Sequence, residues 1–220
     1  MAETKQPAMS QTLSRGLSAL EVLAEAEAPL TIGELASRLD LHRSITYRIV
    51  RTLEAHRLVV RNEAGELELG ARLAALARNV RSDLQAAALP ELTVLANELQ
   101  MTAFIAILDT ESDEAVTLIS VEPRHGNAVV AQRPGGRHPI ERGAPGRAIR
   151  RQLVGEASAC PYETSQDEVI AGLSSVAVPL PVPGGPPAAL AVVYLTQPLD
   201  VEAIGARLER AVEAIRSDLA

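Results

Sequence analysis

Apolar residues recur along this chain with two periods, and the change of period divides it. Up to about Leu84 they return every third or fourth residue, the spacing of one helix face. From Met101 to Thr196 they come as alternating or continuous short runs, the signature of strands. The helical period predicts a first helix over about 14–27, with Leu13, Leu17, Leu20 and Leu23 or Ala24 on its buried stripe and Ala28-Pro29 ending it. A second begins at Thr31, where Thr31 and Glu34 form a capping box and Ile32, Leu35, Ala36 and Leu39 share a face. After the turn at 39–41, a third helix runs from His42 to about Arg57. Its aliphatics Ile45, Ile49 and Leu53 lie behind, and Ser44, Tyr47, Arg48 and Arg51 lie in front. A strand at 58–61, a turn at 62–65 and a return strand at 66–69 complete a winged helix-turn-helix.

Beyond Gly70 the pattern predicts a helix to about Gln85, with a narrow stripe of Leu73, Leu76, Val80 and Leu84. Such a stripe suits a partner helix and so dimerisation; packing on its own domain, or a solvated linker, are the other readings. A helix at 89–99 follows after little or no break. Strands are then expected at 102–108, 115–121, 127–133, 174–180 and 188–196, with a turn at 134–136 and a short helix at 145–153. The chain closes with an amphipathic helix at 201–219. The fold class is therefore α+β, with the helices of the second half on one face of an antiparallel sheet. The domains expected are a disordered arm (1–12), the winged helix-turn-helix (13–70), a linker helix (71–86) and a sheet domain (87–220).

Charge sharpens the reading of the first half. The chain of 220 residues carries a formal net charge of −7. Residues 1–85 are balanced, and 42–61 alone carry +4. Phosphate neutralisation depends on where positive groups sit, so an acidic body with one basic helix face favours a single docking orientation on DNA. The candidate DNA-contact residues are Ser14, Arg15, Arg43, Ser44, Thr46, Tyr47, Arg48, Arg51 and Arg61. Ser44 and Arg48 are assigned to base edges, Ser14 and Arg15 to a phosphate at the start of the first helix, and Arg61 with Asn62 to the wing tip. A solvated helix in an ordinary bundle, and a winged helix that binds protein, are the alternatives.

Composition narrows the rest. With 47 % hydrophobic but 2 % aromatic residues, the cores must be built from Ala, Leu, Val and Ile. A lone cysteine, Cys160, and no apolar leader point to a reducing cytoplasm. The longest apolar run, 188–195, is far too short to cross a bilayer. The four histidines show no metal-ligand spacing, and the Gly-rich segments fit no phosphate-loop or dinucleotide pattern. No catalysis, cofactor or metal is expected.

Several segments together resemble the IclR family of bacterial transcriptional regulators, from about Ser14 to the C-terminus. They are LSRGLSALEVL (13–23), PLTIGELASRLDLHRSITYRIVRTLEAHRLV (29–59), LELGARLAALA (67–77), HPIERGAPGRAI (138–149), DEVIAGLSSVAVPL (167–180) and AALAVVYLTQP (188–198). The resemblance is to a short member with a reduced effector domain, since only Gln152 to Gln166 spans an interval that usually holds more helical turns. It implies a ligand-responsive regulator of a metabolic operon with a GAF-like C-terminal domain. It also implies a cytoplasmic homodimer or dimer of dimers, binding double-stranded DNA and a small-molecule effector such as an organic acid. A winged-helix interaction module, or a sensor without small-molecule control, is the other class. The effector positions carried over are Ala144, Pro145, Ser175, Tyr194 and Thr196. The family's acidic position falls near Ser165 or Gln166. Pro145 lacks an N–H, which weakens the anion site expected at that helix start.

Overall fold

A computed structural model describes residues 10–78, 80–125, 129–155 and 160–219. The chain divides into two compact units, Met1–Val80 and Arg81–Ala220. Most of the arm expected at 1–12 lies outside the described residues.

The first unit contains α1 (Gln11–Glu25), α2 (Ile32–Arg38), α3 (Arg43–Ala55), β1 (Val59–Arg61), β2 (Leu67–Leu69) and α4 (Arg72–Ala77). The capping box at α2 is present: the Thr31 N–H donates to Glu34 Oε2 (2.8 Å) and the Glu34 N–H to Thr31 Oγ1 (3.3 Å). The Thr31 N–H and hydroxyl, both donating to the Glu34 carboxyl, hold it below its usual range. The core joins Ala19, Leu23, Leu30, Leu35, Ile49, Val50, Leu53, Val59 and Leu67. Two apolar assignments change. Leu13 and Leu17 are 62 % and 52 % exposed, because they lie more than about 100° around α1 from Ala19. On α3 the buried set is Thr46, Ile49, Val50 and Leu53, so Ile45, one residue off that stripe, turns outward.

The helix expected from Gly70 to Gln85 is interrupted. α4 ends at Ala77, and Arg81 adopts a left-handed φ of 48° just before α5 (Ser82–Leu99) begins. In turn α5 runs straight through Pro90, where a new helix start was expected. Leu84, Ala87, Ala88, Leu92, Leu95 and Ala96 form one buried stripe along it. At about 1.5–3 kcal/mol per buried leucine, that stripe outweighs the roughly 3 kcal/mol cost of an internal proline.

The second unit adds β3 (Thr102–Asp109), β4 (Glu114–Val121), β5 (Arg137–Pro139), α6 (Gly143–Val154), β6 (Glu163–Gln166), β7 (Leu173–Leu180), β8 (Ala188–Leu195) and α7 (Val201–Leu219). The strands form one antiparallel sheet in the order β5-β4-β3-β8-β7-β6. Helices cover both faces, not one. Ala103, Ile105, Val176, Val178, Leu190 and Val192 pack with α5 and α7, whereas Phe104, Ala106, Leu108, Ala177, Ala189 and Ala191 pack with α6. The reason is legible in β3 and β8, whose near-continuous apolar runs leave both faces needing cover. Alanines on the second face let α6 approach closely. At Gly146 an added Cβ would lie 2.5 Å from the Ile140 carbonyl oxygen.

The strand expected at 127–133 is not a ladder member. Its first two residues lie outside the described set, and 129–133 are held beside the sheet by side chains instead. Thr102 Oγ1 donates to the Val130 carbonyl (2.6 Å), Ser120 Oγ to that of Gln132, and Gln132 Nε2 to Thr117 Oγ1 (2.7 Å). The outer strands β5 and β6 take the edges.

Candidate nucleic-acid interface and ligand cavity

The buried face of α3 fixes what its other face can offer. With Thr46, Ile49, Val50 and Leu53 anchored in the core, Arg43, Ser44, Ile45, Tyr47, Arg48 and Arg51 are all exposed. None of these arginines makes a salt bridge among the described residues. The N-terminus of α3 is capped by its own histidine: His42 Nδ1 accepts from the Ser44 N–H (3.5 Å) and lies 3.0 Å from Ser44 Oγ. That ring position leaves Ser44 at the very start of the exposed face.

Four expected DNA contacts are placed differently. Thr46 is 0 % exposed, and its Oγ1 donates to the His42 carbonyl, so it cannot touch a partner. Arg61 is already engaged, its Nε donating to Glu54 Oε1 (2.7 Å) and its Nη1 to the Gly65 carbonyl (2.9 Å). Its neighbour Asn62 donates to Glu66 and Glu68, so the wing tip is an acidic, self-bonded turn. Ser14 and Arg15 sit within α1 and not at its start, and the Ser14 amide is spent on the Ser10 carbonyl (2.9 Å).

In the second unit a cavity of about 340 Å³ lies on the α6 face of the sheet. Phe104, Leu173, Val193, Pro145 and Val169 supply apolar wall, and Ser175, His138 and Glu168 supply polar groups. Pro145 and Ser175 thus line it as the sequence suggested, while Ala144 is buried in the α6–sheet core beside it. Tyr194 and Thr196 do not line it. Successive strand residues point to opposite faces, and Ser175 pairs with Val193, which puts Tyr194 on the α5–α7 side. Thr196 Oγ1 there meets Ser174 Oγ at 2.8 Å.

Of the two positions named for the family's acidic residue, Ser165 lines the cavity, and the carboxylate at the cavity is that of Glu168. Its carboxylate accepts from Arg147 Nη1 (2.6 Å) and Nη2 (3.0 Å) and from the Gly143 N–H (3.0 Å) at the start of α6. Those donors, Arg147 first, hold its carboxyl below the usual range. His138 and Phe104 were not anticipated; strand alternation from Ser175 would have found Val193, but nothing in the sequence pairs His138 with the cavity. Burial pushes the His138 imidazole pKa down, so the ring is neutral at pH 7. Both His138 Nε2 and Ser175 Oγ are buried with no hydrogen-bond partner among the described residues.

A helix-turn-helix unit with an arginine-bearing exposed helix, linked in sequence to a sheet unit with a ligand-sized cavity, defines a two-part protein of the helix-turn-helix class. Residues 12–63 match the IclR helix-turn-helix domain. The transcriptional repressor IclR of Escherichia coli K12 is 30 % identical over 149 residues, 66 % of this chain and 54 % of that protein. The chain therefore spans about half the length of the curated relatives it matches. Among solved structures, an IclR transcriptional regulator of Alicyclobacillus acidocaldarius has a TM-score of 0.73 at 24 % identity, covering 97 % of each chain. An IclR homologue of Microbacterium hydrocarbonoxydans, complexed with 4-hydroxybenzoate, has a TM-score of 0.77 at 20 % identity over 94 % of this chain and 98 % of its own. Over these spans the chain is similar to IclR-family proteins, and the solved structures share its fold. No helix among the described residues is long and apolar enough to cross a membrane.

Proposed function

We propose that this protein is a cytoplasmic transcriptional regulator that binds operator DNA through α3 and responds to a small molecule held in the cavity on the α6 face. The observation that carries the reading is the exposed row of Arg43, Tyr47, Arg48 and Arg51, unpaired among the described residues and backed by a buried stripe. A cationic helix face without internal anions attracts phosphate, and a major groove admits one helix. Ser44 and Arg48 read base edges; Arg43, Tyr47 and Arg51 hold phosphates. Ile45, turned outward, adds an apolar group of the kind that meets a thymine methyl. Arg61 joins only by leaving Glu54, and Ser14 and Arg15 act at most as backbone neighbours.

Two reading heads on a homodimer, or a dimer of dimers, would span half-sites about 34 Å apart. The gene set is a metabolic operon. The relatives named above support this reading, as does the ligand of the Microbacterium homologue for small-molecule response. The test is selection of bound genomic fragments by the purified protein, followed by mobility-shift titration. Arg48→Ala should weaken binding to the selected fragment by about 10-fold to 100-fold, the worth of one bidentate base contact, with oligomeric state unchanged. Equal affinity for the variant would contradict the assignment.

A further inference from the structure

We infer that the cavity on the α6 face takes an uncharged ligand with a hydroxyl or similar group for Ser175 and His138, and that Glu168 excludes carboxylates from it. The inference builds on the reading of this cavity as the effector site and replaces the organic acid that the family resemblance implies.

The start of a helix attracts an anion because its first amides are unpaired and its dipole is positive there. In this chain that place is taken. The Glu168 carboxylate accepts from the Gly143 N–H (3.0 Å) and from two nitrogens of Arg147 (2.6 and 3.0 Å), and its backbone carbonyl accepts from Arg142. Two residues on, Pro145 has no N–H to give. Room for a replacement is also short, since at Gly143, with φ of 80°, an added Cβ would lie 2.9 Å from Val169 Cγ2. A ligand carboxylate entering this end would meet a carboxylate that already holds the Gly143 amide and the Arg147 guanidinium.

What the buried part of the cavity leaves open is neutral. Ser175 is 8 % exposed, and its Oγ has no partner among the described residues; the same holds for His138 Nε2. A buried polar atom without a bond is costly to leave so, and a ligand that bonds to Ser175 Oγ or His138 Nε2 is held there specifically. Burial keeps the imidazole uncharged and able to accept or donate one hydrogen bond. Phe104, Leu173, Val169 and Val193 surround these atoms with apolar wall suited to a ring or short chain. Two arginines also line the cavity. Arg137 is neutralised by Asp109 (2.9 Å) and Glu114 (3.0 Å), and Arg133 is exposed.

Ligand-observed NMR titration of the full chain at pH 7.5 with phenol and with benzoate separates the classes, because both are single rings and only one is charged. Phenol should bind at least 10-fold tighter than benzoate. Ser175→Leu and the milder Ser175→Val should each weaken phenol at least 10-fold. Glu168→Gln, which frees Arg147, should bring benzoate to within 3-fold of phenol. Benzoate binding to the wild type as tightly as phenol overturns the ligand class and leaves the cavity as a site. Loss of that benzoate binding in Arg133→Ala would place the anion at Arg133. Binding of neither probe, or phenol binding untouched by both Ser175 variants, overturns the inference together with the effector-site reading.

Discussion

Glu168 shows how one side chain can reverse an expectation drawn from a segment. Its carboxyl lies below the usual range because Arg147 and the Gly143 amide favour the charged form. A depressed folded value means that the stabilisation is complete above the unfolded carboxylate pKa and is lost as pH falls toward the folded one. About a third of each partner is exposed, so the pair is worth about 1 kcal/mol or less after screening by solvent. Thermal unfolding followed from pH 7 to pH 3 should therefore show Glu168→Gln losing less stability on the acid side than the wild type. Parallel acid limbs would contradict the pairing. At this scale the sequence was partly legible. Arg43, Arg48 and Arg51 declare themselves by charge and spacing, but Thr46 and Ser44 differ only in which side of α3 they occupy, and the aliphatic pattern alone set that phase one residue off. Tyr194 was misplaced for a related reason: a one-residue step along a strand exchanges faces.

At the scale of elements, the sequence speaks clearly where burial is one-sided. α2, α3, α7 and the hairpin of β3 and β4 follow from period and caps. α5 does not, because two helices were expected to meet between Gln85 and Leu89, whereas six buried side chains run along a single helix. β5 and β6 were missed because edge strands such as ETSQ carry little apolar signal and make their ladder bonds on one side only. Gly70 marks an element junction where space is absolute. Its N–H donates to the Leu58 carbonyl (2.8 Å), and a Cβ would stand 2.2 Å from the Arg57 carbonyl oxygen. Gly70→Ala should destabilise the winged unit by about 3 kcal/mol, the upper end of overpacking costs. Because the chain has two compact units, calorimetry should show one transition moving down by about 10 °C or more while that of the sheet unit stays. A variant that melts like the wild type would show that the wing can shift at little cost.

For the whole molecule, charge placement matters more than total charge. In the proposed reading, a chain at −7 with an exposed cationic helix would approach DNA in one orientation, since the acidic remainder repels phosphate elsewhere. The wing adds little, with Arg61 tied to Glu54 and Asn62 to its acidic neighbours. In the proposed function, recognition therefore rests on α3 and control on the cavity of the sheet unit.

The most direct measurement is the salt dependence of affinity for a selected operator fragment, comparing the wild type with Arg43→Ala and Arg51→Ala. If α3 lies in the groove with these arginines on phosphates, log K falls steeply with log salt, and each variant flattens the slope by about 0.9 for every phosphate it no longer neutralises. A shallow wild-type slope, or slopes that both variants leave unchanged, would contradict a DNA-reading α3.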